Sequence, residues 1–267
     1  MAALVVIPAR YGSTRFPGKP LAMVCGKPMI QRVYEQAAKA ARASAVVVAT
    51  DDDRIMAAVA RFGGQAAMTS PSAGSGTDRV AEVARARSEA IIVNVQGDEP
   101  LIQPDMIDQV IAYLEQHQAV PMASLMTRLD RAEDLANPNA VKVVTDRDGF
   151  ALYFSRSPIP YVRTDHGGSR LQDTSRMPQA AGNAQDAAGN LQLAAYKHLG
   201  LYGYQRHFLL RFPHLDPTPL ELAEQLEQLR ALEHGYRIKL LETAHETIGV
   251  DTPDDLKRVE PLLAHGR

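Results

Sequence analysis

Short apolar runs alternate with amphipathic stretches along the first hundred residues. Leu4–Ile7 is a continuous aliphatic run ended by Pro8, the pattern of a buried strand. Pro28–Ala43 changes to helical spacing, with Met29, Ile30, Val33, Ala37 and Ala41 on one face and Pro28 in the first turn. Val46–Ala49 predicts a second strand. "TDDDRIMAAVARFGG" predicts a helix with acidic residues in its first turn and glycines at its end. Ala66–Thr69, a helix from about Thr77 to Arg87, and the strand Ile91–Val95 complete the series. Strands alternating with helices at this rhythm imply an α/β fold whose mostly parallel sheet is buried on both faces.

The second half is less regular. Ala140–Val144 and Phe150–Phe154 flank "DRDG" and predict a hairpin. "KHLGLYGYQ" reads as a strand, and "PLELAEQLEQLRALEHG" as one helix with Leu222, Leu226, Leu229 and Leu232 on one side. Arg237–Leu241 is a late strand and Pro253–Leu263 a closing helix. Between them, Thr164–Leu193 is rich in Gly, Ala, Gln, Asn and Asp and has little to bury, which predicts a long mobile insertion. No internal repeat is visible. The expected organisation is a single domain over 1–267, with a smaller lobe drawn from the second half.

Composition narrows the function. The chain has 267 residues, a net charge of −2, 45% hydrophobic and 22% charged residues. These values describe a globular protein and argue against a general nucleic-acid or membrane partner. The lone Cys25 excludes an internal disulfide and, having no paired base, reads as a small buried filler rather than a nucleophile. The same scarcity of cysteine, with no targeting signal, suggests a cytoplasmic location. The histidines show no zinc-binding spacing.

Any positive field must therefore be local, and it is. "VVIPARYGSTRFPGKPL" places Arg10, Arg15 and Lys19 in a glycine- and proline-punctuated loop directly after the first strand. Ligands of parallel sheets bind beyond the carboxyl ends of strands. Gly12 and Gly18 permit a tight path, and arginine forks and a lysine suit triphosphate oxygens. The loop is neither a P-loop nor a dinucleotide fingerprint.

These residues resemble a known family. "IPARYGSTRFPGKPL" is similar to the N-terminal signature of the 3-deoxy-manno-octulosonate (Kdo) cytidylyltransferases, with Ala9-Arg10 where sugar-1-phosphate enzymes carry a glycine pair. "SGTDR", "NVQGDEP", "NPNAVKVV", "ALYFSRSPIP", "KHLGLYGY", "LEQLRALEHG" and "GVDTPDDL" follow in the family's order. Thr164–Leu193 matches nothing in it. The resemblance implies a Rossmann-like, three-layer nucleotidyltransferase fold, a homodimer, and the substrates CTP and Kdo. Transfer of CMP would activate Kdo for lipopolysaccharide biosynthesis. A sialate or an amino-Kdo is the rival acceptor, and a nucleotide-binding regulatory protein the rival outside catalysis.

Asp98, in the polar loop after the fourth strand, can hold Mg²⁺ against triphosphate oxygens or serve its own turn. Asp251 reads either as a second metal ligand or as a cap for the helix begun by Pro253. The resemblance favours metal binding for both. It further implies that Arg10, Arg15, Lys19 and Asp98 are catalytic, and that Arg10, Ser13, Arg15, Lys19, Ser75, Gly76 and Arg79 bind the nucleotide. Gln96, Arg163, His198, Tyr202, Glu227 and Gln228 would bind the acceptor, with Arg156 a competing cation for Arg163.

Overall fold

The computed structural model describes residues 1–12, 16–129, 131–161 and 195–264. In chain order, the first half comprises β1 (Ala3–Pro8), the small strands β2 (Met23–Val24) and β3 (Lys27–Pro28), and α1 (Met29–Ala37). It continues with β4 (Ala43–Thr50), α2 (Asp53–Arg61), β5 (Ala66–Met68), α3 (Gly76–Arg85), β6 (Ile91–Asn94) and α4 (Pro104–Gln116). The second half opens with β7 (Met122–Arg128), α5 (Ala132–Ala136), β8 (Lys142–Thr145), β9 (Ala151–Ser155) and β10 (Tyr196–Gln205). It ends with α6 (Arg206–Arg211), α7 (Pro219–Glu224), α8 (Gln228–Glu233), β11 (Ile238–Glu242) and α9 (Pro253–Ala264).

The main sheet runs β11-β7-β10-β6-β1-β4-β5, with β8 and β9 added beside β10. Neighbouring pairs along this path are parallel except at β10, which runs antiparallel to both β6 and β7. The expected mixed, mostly parallel α/β sheet is therefore present. Alternation along its strands feeds two cores. Val5, Ile7, Ile91 and Val93 face α1 and α4, whereas Leu4, Val6 and Ile92 face α3 and α6. No helix among the described residues is long and apolar enough to cross a membrane.

Strand order reverses at β1, which lies between β4 and β6, so the loops after β1 and β6 diverge around one crevice. The two backbones approach closely there. A Cβ on Gly97 would stand 2.8 Å from the Pro8 carbonyl oxygen, so only glycine fits.

Several expected elements end elsewhere. α1 stops at Ala37, and Ala41 is exposed, because Asp108 accepts hydrogen bonds from Ala41 N (2.9 Å) and Arg42 N (2.7 Å) and fixes a turn there. Pro28 belongs to the β2–β3 hairpin instead of the first helical turn. That hairpin turns on Cys25 and Gly26, both with positive φ (47° and 77°), so Cys25 is exposed and is not a core filler. The long leucine helix is two helices, broken at Gln225, which has φ 53°. The break leaves Leu222 59% exposed while Leu226 and Leu229 stay buried. α4 and β7 have no counterpart among the expected elements. The expected insertion at Thr164–Leu193 lies outside the described residues.

β10 also needs a glycine to seat α4. A Cβ on Gly203 would collide with Val110 and come within 2.8 Å of Leu114 Cδ1. Gly203→Ala should therefore destabilise the fold by about 1–3 kcal/mol, the usual cost of overpacking, seen as a lower urea midpoint. An unchanged midpoint would show that α4 has room to stand off the sheet.

Candidate active site

Two adjoining cavities open at the carboxyl ends of β1 and β6. The first, about 300 Å³, is bounded by Pro8–Arg10, Lys19, Ala73–Gly76, Gln96–Asp98 and Asp251. The second, about 510 Å³, lies between β6, β10 and α8, and its walls include Thr77, Asn94, Tyr202, Arg156, Glu227 and Gln228. Gln96 and Asp251 border both.

Lys19 stands at the junction. The opening loop closes on itself through Gly18, whose N–H donates to the Tyr11 carbonyl (3.0 Å) and whose φ is 72°. Gly12 shows no such demand. A short 3-10 turn over Lys19–Leu21 then projects the lysine inward. Its Nζ donates to Asp98 Oδ2 at 2.6 Å and to Asp251 Oδ1 at 3.2 Å. Asp98 arrives on the β6 loop, and its carbonyl accepts from Val250 N (2.9 Å), which brings Asp251 alongside. Arg10 is exposed on the rim. Ser13, Arg15 and Arg163 lie outside the described residues.

The capping alternative for Asp251 is not what the geometry shows. Asp255 N donates to Thr252 Oγ1 (3.2 Å), and Asp255 Oδ2 accepts from Thr252 N (2.9 Å), so Thr252 caps α9. The Asp251 carboxylate instead converges with Asp98 on one ammonium group. Two half-exposed carboxylates meeting at a single cation, beside a basic cavity, are a donor set suited to Mg²⁺. Burial and the neighbouring Asp98 push the adjoining Glu99 carboxyl up to about 8.

The loop at Ala73–Gly76 is held by α3. Ser75 and Asp78 form a capping box. Arg79 is buried, and its guanidinium donates to Asp51 Oδ2 (2.5 Å), Thr69 Oγ1 (2.8 Å) and the Ser70 carbonyl (3.2 Å). It borders the first cavity but spends its charge on Asp51, so it fixes the loop's shape. Gly76 lies 3.4 Å, by its virtual Cβ, from Pro8 Cγ, which keeps the loop against β1.

In the second cavity, the break at Gln225 turns Glu227 and Gln228 inward. Glu227 Oε2 accepts from Thr77 Oγ1 (2.5 Å), linking the start of α3 to the far wall, and burial raises the Glu227 carboxyl above its usual range. Gln96 Nε2 donates to the Gly200 carbonyl (3.3 Å), exposed by a register shift in β10 between Leu199 and Tyr202. Burial keeps the Tyr202 phenol protonated. His198 does not line the cavity. It packs beneath Tyr202 and edge-on to Phe154, with Nε2 2.9 Å from Ser124 Oγ.

The sequence offered Arg156 only as a rival to Arg163 and gave Lys142 no role, but the structure joins the two in a clasp on this wall. Arg156 donates to the carbonyls of Glu224 (2.7 Å), Pro138 (3.1 Å) and Gln225 (3.3 Å), holding the helix break against the loop before β8. Fully buried Lys142 ties the carbonyls of Asn137 (2.8 Å) and Arg156 (2.6 Å) together. A cation inside the "KVV" strand signature was the available signal.

A cytidylyltransferase family model matches residues 4–240. A 3-deoxy-manno-octulosonate cytidylyltransferase of Geobacter sulfurreducens is 55% identical over 97% of this chain and 98% of its own. The chain belongs to that family. A relative of the same name from Trichlorobacter lovleyi is 50% identical, with both chains covered completely. A solved structure of CMP:2-keto-3-deoxy-manno-octonic acid synthetase complexed with CTP superposes with a TM-score of 0.86 at 41% identity, covering both chains fully. Like its family, this chain is a nucleotidyltransferase enzyme.

Burial holds the His198 pKa down at about 3, against about 6.5 in an unfolded chain. As pH falls below about 6.5 the unfolded chain binds this proton and the native state does not, so stability is lost on acidification and unaffected above. By pH 5 the loss reaches about 2 kcal/mol. His198→Gln should show a smaller drop in urea midpoint between pH 7.5 and pH 5 than the wild type. Equal drops would show that another group titrates.

Proposed function

We propose that this enzyme transfers CMP from CTP to Kdo, releasing diphosphate. The observation that carries the reading is the meeting of two cavities at Lys19, Asp98 and Asp251. One cavity is edged by cations and small residues, as a nucleoside triphosphate requires. The other is walled by hydroxyls, amides and Glu227, as a polyhydroxylated sugar requires.

Arg10, Lys19 and, from the same loop, Arg15 would draw charge from the departing diphosphate. Asp98 and Asp251 would hold Mg²⁺. Bound there, the metal would neutralise triphosphate charge and favour displacement at the α-phosphorus. Gln96, at the boundary of both cavities, would orient the acceptor's anomeric region, and Tyr202, Glu227 and Gln228 its hydroxyls. The sugar's anomeric hydroxyl attacks directly, so no protein nucleophile is needed, and exposed Cys25 lies on a separate hairpin.

The family resemblance supports two further proposals: that the enzyme is a homodimer, and that its product serves lipopolysaccharide assembly from the cytoplasm. A nucleotide-binding regulator would have little use for a paired carboxylate beside the triphosphate cavity.

Diphosphate release from CTP with Mg²⁺, offering Kdo, sialate and an amino-Kdo separately, should be fastest with Kdo. Preference for another acid would overturn the acceptor, and no release with any would overturn catalysis. Asp98→Ala should lower kcat by at least about 100-fold with an unchanged circular-dichroism spectrum. Near-normal turnover would refute the role given to that carboxylate.

A further inference from the structure

Along β6 the side chains alternate between the two cores. Ile91 and Val93 enter one, and Ile92 enters the other. Asn94 follows Ile92 on the second face, so an amide stands where the pattern calls for another aliphatic residue. It pairs in register with Val6 on one side and Tyr202 on the other, in the middle of the sheet, and is only 1% exposed.

This buried amide has unused bonding capacity. Asn94 Oδ1 has no hydrogen-bond partner, and the residue lines the 510 Å³ cavity between β6, β10 and α8. A buried acceptor left unpaired forfeits the water it had in the unfolded chain, so an apolar residue would serve the fold better at this position. Glu227, on the opposite wall, repeats the arrangement: Thr77 satisfies Oε2 while Oε1 is unpaired. Neighbouring Gln96 differs, because its amide nitrogen already donates to Gly200. Two residues of the cavity wall thus each carry a buried, unpaired acceptor oxygen. A ligand rich in hydroxyl donors fits that demand, and an apolar one does not.

We propose that Asn94 is a specificity-determining residue of the acceptor site, its amide oxygen receiving a hydroxyl proton of the acceptor sugar. The inference rests on the reading that the second cavity takes a Kdo-like polyol. Asn94 sets which hydroxyl must be present, because a site built to bond a hydroxyl strongly rejects an analogue lacking it. Its place on a central strand, anchored between β1 and β10, keeps the amide rigid. Glu227, which precedes α8 just after the Gln225 break, supplies the second anchor.

The test is steady-state kinetics of the wild type and Asn94→Leu with Kdo and each of its monodeoxy analogues. The smaller Asn94→Ala replaces the leucine variant if leucine overpacks. With Kdo, the variant should lose at least about 30-fold in kcat/KM for the acceptor, while its KM for CTP stays within about twofold. One analogue should be poor for the wild type, and on that analogue alone wild type and variant should agree within about threefold. A variant within threefold of wild type on Kdo, an equal loss on every analogue, or a matching rise in KM for CTP would overturn the assignment. If the wild type itself transfers nothing to Kdo, the acceptor reading fails and this inference goes with it. Normal wild-type transfer with an unaffected variant sinks the role of Asn94 alone.

Discussion

The Lys19 ammonium, held between Asp98 and Asp251, is the interaction on which the site depends. It joins three distant stretches of chain: the loop after β1, the loop after β6, and the segment entering α9. Its value is positional. Partly exposed ion pairs contribute only about 0.2–1 kcal/mol each, too little to hold the C-terminal segment in place. That task falls to a third apolar cluster, in which Val250 and Val259 pack on Val24 and Met29 of the β2–β3 hairpin and α1, all fully buried. Burying each such side chain is worth about 1.5–3 kcal/mol. The hydrophobic cluster brings the carboxylate in, and the lysine fixes where it points.

The same division of labour runs through the rest of the site. Apolar packing sets the frame, and a few polar contacts with little net stability aim the functional groups. Gly97 lets the β6 loop lie against Pro8, so the two strand ends can flank one crevice. The register shift in β10 frees the Gly200 carbonyl to hold Gln96 and delivers Tyr202 to the neighbouring cavity. The Thr77–Glu227 hydrogen bond then ties the start of α3 to the far wall of the second cavity.

What the sequence disclosed follows the range of the forces involved. β1, β4 and β6 were legible because fully buried parallel strands are continuous β-branched runs, and α2 because Asp52 caps it locally, accepting from Arg54 N. Misread boundaries are those set from far away. Asp108 ends the turn after α1, and Arg156 together with the Glu224 carboxylate secures the break that a continuous leucine pattern conceals. α4 carried a readable signal, with Pro104 at its start and Met106, Ile107, Val110, Ile111 and Leu114 on one face. At Asp251-Thr252 both residues are good caps, so only the geometry could assign Thr252 to the helix and release Asp251 for the cavity. Asn94 was invisible because a polar residue at a strand end looks like the start of a loop until its burial is known.

The central claim is that Asp98 and Asp251 form the cation seat beside a triphosphate cavity guarded by Lys19. A crystal structure with CTP and Mn²⁺, read by anomalous scattering, tests it most directly. The account predicts one anomalous peak within coordination distance of both carboxylates, with Lys19 Nζ on a phosphate oxygen. A triphosphate bound elsewhere, or metal away from both aspartates while Lys19 keeps its two ion pairs, would contradict it.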